Sequence, residues 1–265
     1  MEFTYEQLQR YARHIVLREV GGVGQKKLLS GKVLVIGAGG LGAPLLLYLA
    51  AAGVGTLGVA DHDLVELSNL QRQVIHTTQN IGLPKVESAA MAVSAVNPDV
   101  KFHPHHLKVR SNNILALIEE YDIIADGSDN FETRFLVNDA CHLARKTLVS
   151  GAILRFEGQV STFKSHMGKN YPCYRCLYRS PPPANLVPSC AEGGVIGTLA
   201  GTVGSIQGTE VLKEIMGVGT SMSGNLILYN ALETEFRKIS LKRDTDCPLC
   251  GEKPTILDLS IHSET

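Results

Sequence analysis

The longest uncharged stretch, Val33 to Ala60, most narrows what this 265-residue chain can fold into, because 28 consecutive positions without a charge are enough to span a bilayer. Its glycines argue against a membrane helix. Seven of them (37, 39, 40, 42, 53, 55 and 58), with Pro44, cut the stretch into a short β-branched run, a glycine-rich turn, a Leu/Ala segment and a second short run. That pattern predicts strand, loop, helix and strand, all buried inside a soluble fold.

The rhythm continues on either side. Thr4-Tyr5-Glu6-Gln7 reads as a capping box opening a helix whose apolar stripe is Leu8, Tyr11, Ala12, Ile15 and Val16, with Arg13 beside the stripe. A GGVG turn is expected at Gly21 to Gly24. Strands are predicted at 32–36, 56–61, 100–105, 122–126 and 147–150, with helices near 41–52, 84–96, 112–119 and 131–145. This alternation predicts an α/β fold: a doubly wound, Rossmann-like, mostly parallel sheet. From Gly151 onward the texture changes to antiparallel-type alternation at 159–164, 225–230 and 235–241, around a helix from about Ile196 to Met216. The expected layout is one domain over 1–254, with a helical arm (1–30), a nucleotide-binding half (31–150) and a second half (151–254), followed by a loose tail at 255–265.

Composition excludes several roles. Lys+Arg total 25 against 26 Asp+Glu, a net charge of −1 that creates no basic field for nucleic acid or for an anionic membrane surface. The opening MEFTYEQLQR lacks the basic start and apolar run of a secretory signal, so a cytoplasmic location is expected. Six cysteines in a reducing compartment then favour metal ligands or reactive thiols over disulfides.

Two constellations carry chemistry. In Gly37-Ala38-Gly39-Gly40-Leu41-Gly42, a G-x-G-x-x-G follows a strand and opens a helix, where backbone can approach a phosphate at free N–H groups. Asp61, 22 residues past Gly39 at the end of the next strand, suits ribose hydroxyls; its plainer role is a strand-end cap. The same fingerprint serves NAD, but Arg72 and Lys85 near the cradle suit a triphosphate. Asp129, in Asp126-Gly127-Ser128-Asp129-Asn130 after the fourth strand, should face the same crevice as a Mg²⁺ ligand, or else cap the following helix with Asn130. The second constellation pairs Cys173-x-x-Cys176 with Cys247-x-x-Cys250, four thiolates suited to structural Zn²⁺, with a redox motif as the alternative. Cys141 reads as a core thiol. Cys190, in the Pro-rich stretch YRSPPPANLVPSCAEGG (178–194), is either a reactive thiol or an incidental loop residue. His103, His105 and His106 read as a solvated strand end rather than a metal tract.

Taken together, RYARHIVL (10–17), GAGGLG (37–42), D-x-D (61–63), SNLQRQ (68–73), G-x-PKVESA (82–89), SDN (128–130), CYRC and CPLC give a chain that resembles the MoeB/ThiF/HesA family, bacterial relatives of ubiquitin-activating enzymes. The resemblance runs from about Leu8 to Lys253. It implies Mg-ATP-dependent adenylation of the C-terminal glycine of a ubiquitin-like sulfur carrier ending in Gly-Gly. The branch it implies serves the small subunit of molybdopterin synthase, with the thiamine-thiazole carrier as the alternative. It further implies that Gly40 and Asp61 hold the adenosine end, that Asn69 (within Ser68-Asn69-Leu70-Gln71), Arg72 and Lys85 lie near the phosphates, and that Asp129 binds Mg²⁺. Arg13 would reach the nucleotide of a partner subunit in a homodimer, Cys190 would sit where some branches form a covalent link, and sulfur would come from a separate cysteine desulfurase or sulfurtransferase. Outside this family, an NAD-dependent oxidoreductase would explain GAGGLG and Asp61 but leave Arg72, Lys85 and Asp129 without a task, and a degenerate carrier-binding module would not need these charges at all.

Overall fold

The computed structural model of the chain describes residues 2–182 and 193–263. Among the described residues eight strands form one sheet in the order β3-β2-β1-β4-β5-β6-β7-β8. The first five, β1 (Lys32–Ile36), β2 (Thr56–Asp61), β3 (Lys101–His106), β4 (Ile123–Asp126) and β5 (Thr147–Leu154), pair in parallel. β6 (Glu157–Phe163), β7 (Asn225–Asn230) and β8 (Glu235–Ser240) then add on antiparallel. The Rossmann-like sheet with an antiparallel extension is thus as expected.

Period-two alternation explains the layers. Val33 and Val35 of β1 face a core shared with the helices α3 (Gly21–Ser30), α4 (Gly42–Ala52), α5 (Lys85–Val96) and α9 (Gly197–Met216). Leu34 and Ile36 face the opposite core, formed with α6 (Ile114–Glu119), α7 (Phe131–Leu143) and α8 (Tyr174–Leu177). The uncharged stretch is accordingly β1, α4 and β2, and α4 is buried nearly all round. No helix among the described residues is long and apolar enough to cross a membrane.

Four expectations need correction. The N-terminal helix breaks at Tyr11 into α1 (Tyr5–Arg10) and α2 (Ala12–Ile15), although the Thr4 capping box forms as read. Of its apolar stripe only Tyr11 is buried, accepting a hydrogen bond from Asn97 Nδ2 at 2.9 Å, whereas Val16 is 72% exposed. The GGVG segment is not a turn but the start of α3; Gly24 lets that helix lie against Met216, since a Cβ there would stand 3.3 Å from its sulfur. β5 runs on through Gly151 to Leu154 as one arm of a hairpin with β6. Finally, the segment from Thr255 is packed rather than loose: Ile256 and Leu259 are buried, and His262 Nε2 meets Asp139 Oδ2 at 2.8 Å. The β3 histidines stay at the sheet's outer strand, His105 reaching the Tyr121 hydroxyl at 2.9 Å.

Candidate nucleotide site and cysteine centre

In the sheet order the chain leaves β1 toward β2 on one side and returns to β4 on the other, so β1 and β4 bracket the switch point where ligands of open α/β sheets sit. Two loops meet there. Gly37 has a φ of 92°, and a Cβ on it would stand 3.2 Å from the Gly127 carbonyl oxygen. Gly42 allows α4 to start against the turn, since a Cβ there would come within 1.9 Å of the Gly37 oxygen. The strand ends, the loops and the segment after β2 enclose a cavity of about 300 Å³.

Gly37, Gly39, Gly40, Asp61, Arg72, Lys85, Asp129 and Asn130 all line it. Asp61 lines the cavity and caps the strand end, its Oδ2 accepting from Ala38 N at 2.8 Å and its Oδ1 from Asp63 N at 2.9 Å. The Lys85 ammonium is buried and bonds Asp63 Oδ2 at 2.7 Å. Burial alone would raise the Asp63 carboxyl, but the Lys85 hydrogen bond and charge, with His62, hold it below its ordinary value. Arg72 folds over Gly40 and donates to the Ser68 carbonyl at 3.0 Å. Asn130 caps α7 by accepting from Thr133 N at 2.8 Å, and the neighbouring Asp129 carboxylate is exposed to the cavity.

The other expected residues stand behind or outside this lining. Asn69 is buried and accepts from Glu66 N at 3.1 Å, so it braces the segment carrying Arg72. Ser68, Leu70 and Gln71 belong to that same segment, and Gly42 acts through helix packing. Arg13 lies exposed on α2, away from the cavity of its own chain. Cys190 lies outside the described residues.

Four buried polar side chains, His76, Asn80, Gln207 and Arg134, escaped the sequence reading. His76 is joined to Ser88 Oγ at 2.9 Å and to the Ala38 carbonyl at 3.0 Å, while Asn80 donates to the same Ser88 oxygen at 2.8 Å. With Ser88 donating to Nδ1, a neutral ring donates from Nε2 to the glycine loop. Burial disfavours the charged ring and lowers its pKa, against the pull of the Ala38 carbonyl. Gln207 of α9 donates to the carbonyls of Asp126 and Val149 at 2.8 and 3.0 Å, tying the end of β4 to β5. Arg134 of α7 donates to the Ser128 and Gly151 carbonyls at 2.6 and 3.1 Å. None lies at a telltale spacing in the sequence.

A second, largely apolar cavity of about 400 Å³ lies over β5, β6 and Leu228 of β7, and meets the first at Asp129, Arg134 and Ile153. On the far side of α7 the four cysteines converge. Their sulfurs lie within 4.8 Å of one another, with separations of 3.5 Å (Cys173–Cys247), 3.4 Å (Cys176–Cys250) and 3.9 Å (Cys173–Cys176). Disulfides would need about 2.05 Å, whereas zinc with bonds of about 2.3 Å sets tetrahedral edges near 3.8 Å. Asp244 N donates to Cys176 Sγ at 3.4 Å, as suits a thiolate. Between the first two cysteines, Tyr174 N donates to Asn138 Oδ1 at 2.8 Å and Arg175 forks onto buried Asp139 at 2.6–3.1 Å. Cys141 is buried, which pushes its thiol well up.

Comparison with known proteins agrees with this architecture. The chain is 48% identical over 261 residues to the sulfur carrier protein adenylyltransferase of Thermus thermophilus, covering 98% of this chain and 96% of that protein. It is 50% identical over 251 residues to the probable adenylyltransferase/sulfurtransferase MoeZ of Mycobacterium tuberculosis, covering 93% of this chain but only 63% of that longer protein. The crystal structure of E. coli MccB with ATP superposes with a TM-score of 0.79 at 21% identity, over 91% of this chain and 74% of that one. A profile of the ThiF family matches residues 11–249, so the chain belongs to the ThiF family.

Proposed function

We propose that the chain is an adenylyltransferase that uses Mg-ATP to activate the C-terminal glycine of a ubiquitin-like sulfur carrier. The observation that carries this reading is the adjacency of two cavities: a polar one lined by the glycine loop, Arg72, Lys85 and Asp129, and a largely apolar one of about 400 Å³, which share Asp129, Arg134 and Ile153 in their linings. Adenylation of a protein terminus needs that pairing, because the tail's carboxylate must meet the α-phosphorus. The family and the name of the Thermus thermophilus relative point the same way.

A terminal carboxylate is already ionised at neutral pH, so no strong base is required. The residues orient two anions and offset the charge that develops on the α-phosphate and the leaving pyrophosphate. Arg72 and Lys85 supply that charge from the wall, and the glycine loop presents backbone N–H groups. Asp129 fits Mg²⁺ because its carboxylate faces the cavity with one long contact, 3.5 Å to Asn130. Bound there, the ion would neutralise phosphate charge and align the α-phosphate. Zinc fits the four thiolates as a closed cross-link without an open coordination position.

Finer elements belong to the same reading. Residues 1–254 work as one unit on the carrier of molybdopterin synthase, with the thiazole carrier as the alternative, and a separate protein donates sulfur. Two copies pair so that Arg13 serves the partner's nucleotide; the exposed apolar side chains of Leu8, Val16 and Leu17 on the same arm support this pairing. A reaction that consumes ATP suits the cytoplasm. Cys190 is assigned the covalent link found in some branches. Carrier-dependent ATP–pyrophosphate exchange and intact-mass detection of the acyl-adenylate, run with molybdopterin and thiazole carriers side by side, test the activity and its substrate; no adenylate with either carrier would refute it.

A further inference from the structure

Arg134 lines both cavities and also bonds the backbone of the segments between them. It is 6% exposed and sits one turn into α7. One guanidinium nitrogen binds the carbonyl of Ser128, the residue before Asp129; another binds the carbonyl of Gly151, midway along β5, whose next residues Ala152, Ile153 and Leu154 line the apolar cavity. The fork therefore sets the distance between the loop carrying Asp129 and the strand that floors the tail's path. Its guanidinium also lies near Asp126, a buried carboxyl that accepts from Ser128 N at 3.0 Å and Ser150 Oγ at 3.4 Å and that burial pushes above its ordinary pKa against the pull of Arg134.

We propose that Arg134 is the positioning residue for the adenylation step, fixing the place where the carrier's carboxylate and the α-phosphate meet by spacing the Ser128–Asp129 loop from Gly151. The proposal rests on the adenylation reading above. The rigid planar guanidinium reaches the two carbonyls from two separate nitrogens, whereas lysine keeps the charge but presents a single point. A shift of about 1 Å at a reacting pair costs on the order of 10²-fold in rate. Misplacing the junction should therefore fall on kcat and leave most of the ground-state binding of either substrate in place.

The test is Arg134→Lys, with Arg134→Gln as a second variant that keeps a shorter amide donor without the charge. Carrier-dependent pyrophosphate exchange is read as kcat and as KM for ATP and for carrier, beside thermal melting. The expected result for R134K is a melt close to wild type, kcat lower by roughly 10–10²-fold and either KM changed by less than about threefold. Should R134K not fold, R134Q carries the same expectation. Wild-type-like kcat in a folded variant would overturn the role. So would parallel loss of melting temperature, kcat and both KM values, which would mark Arg134 as merely structural. Silence of the wild type itself would strike the adenylation reading, which this design keeps separate from the role of Arg134.

Discussion

The polar cavity and the cysteine centre share one helix and use it in opposite ways. The N-terminal end of α7 serves the cavity, with Asn130 capping the helix and Arg134 clamping the loop before it, while Asn138 and Asp139, one to two turns on, grip the Cys173–Cys176 segment. At the cysteine end polar groups are matched: Asp139 is fully buried and takes Arg175, His262 and Asn138. At the cavity end the Asp129 carboxylate is left facing space, and Arg72 and Lys85 line the same cavity while held by the Ser68 carbonyl and the Asp63 carboxylate. Matched groups hold a fold together, and groups left facing a cavity are free to bind; α7 keeps the second set in register with the first.

Breaking the closed end should cost the most stability. Removing zinc, or replacing Cys173 by Ser, gives up a cross-link of a kind worth about 10–16 kcal/mol in isolated zinc-finger peptides, so a large drop in melting temperature on chelation is expected. An unchanged melt would mean that the four thiols do not hold a metal. Next comes Arg175→Ala, which strands a buried carboxylate at Asp139 and should cost about 3–5 kcal/mol in denaturant titration. At the open end the ranking inverts: Asp129→Ala or Arg72→Ala should leave the melt unchanged yet lower carrier-dependent exchange by about 10²–10³-fold, by analogy with single oxyanion-hole donors.

The smallest effect concerns His76. Its pKa lies below the ordinary 6.5 in the fold, so the unfolded chain takes up a proton that the folded chain resists. Stability should be full above that range and fall as the pH drops through it. His76→Gln, which keeps a donor for Ala38, should flatten the slope of melting temperature against pH below 6.5. An unaltered slope would show that His76 does not contribute to it.

The two ends also differ in how far they could be read from sequence. Glycines, charges and cysteines announce themselves by spacing: β1 and β2 run as predicted, and Gly37, Gly39, Gly40, Arg72, Lys85 and Asp129 line one cavity, while Gly42 packs behind it. What holds them there was hidden. Arg134, Gln207 and His76 act through hydrogen bonds to backbone carbonyls, and those of Gln207 and His76 lie 38 or more positions away, a relation no local periodicity carries. The N-terminal arm misled for a different reason. Its stripe has helical spacing, but within one chain only Tyr11 finds a core, and Leu8 and Val16 stay exposed. The end of the chain misled in the reverse sense, since two apolar residues and one histidine suffice to anchor what composition alone suggested would be loose.

The most direct test of the central claim is ATP–pyrophosphate exchange with the carrier present, measured on the wild type and Arg72→Ala side by side at matched folded concentration. The account predicts exchange that requires both carrier and Mg²⁺ in the wild type and falls by about 10²–10³-fold in the variant. Exchange that ignores the carrier, or that survives intact in Arg72→Ala, would contradict it.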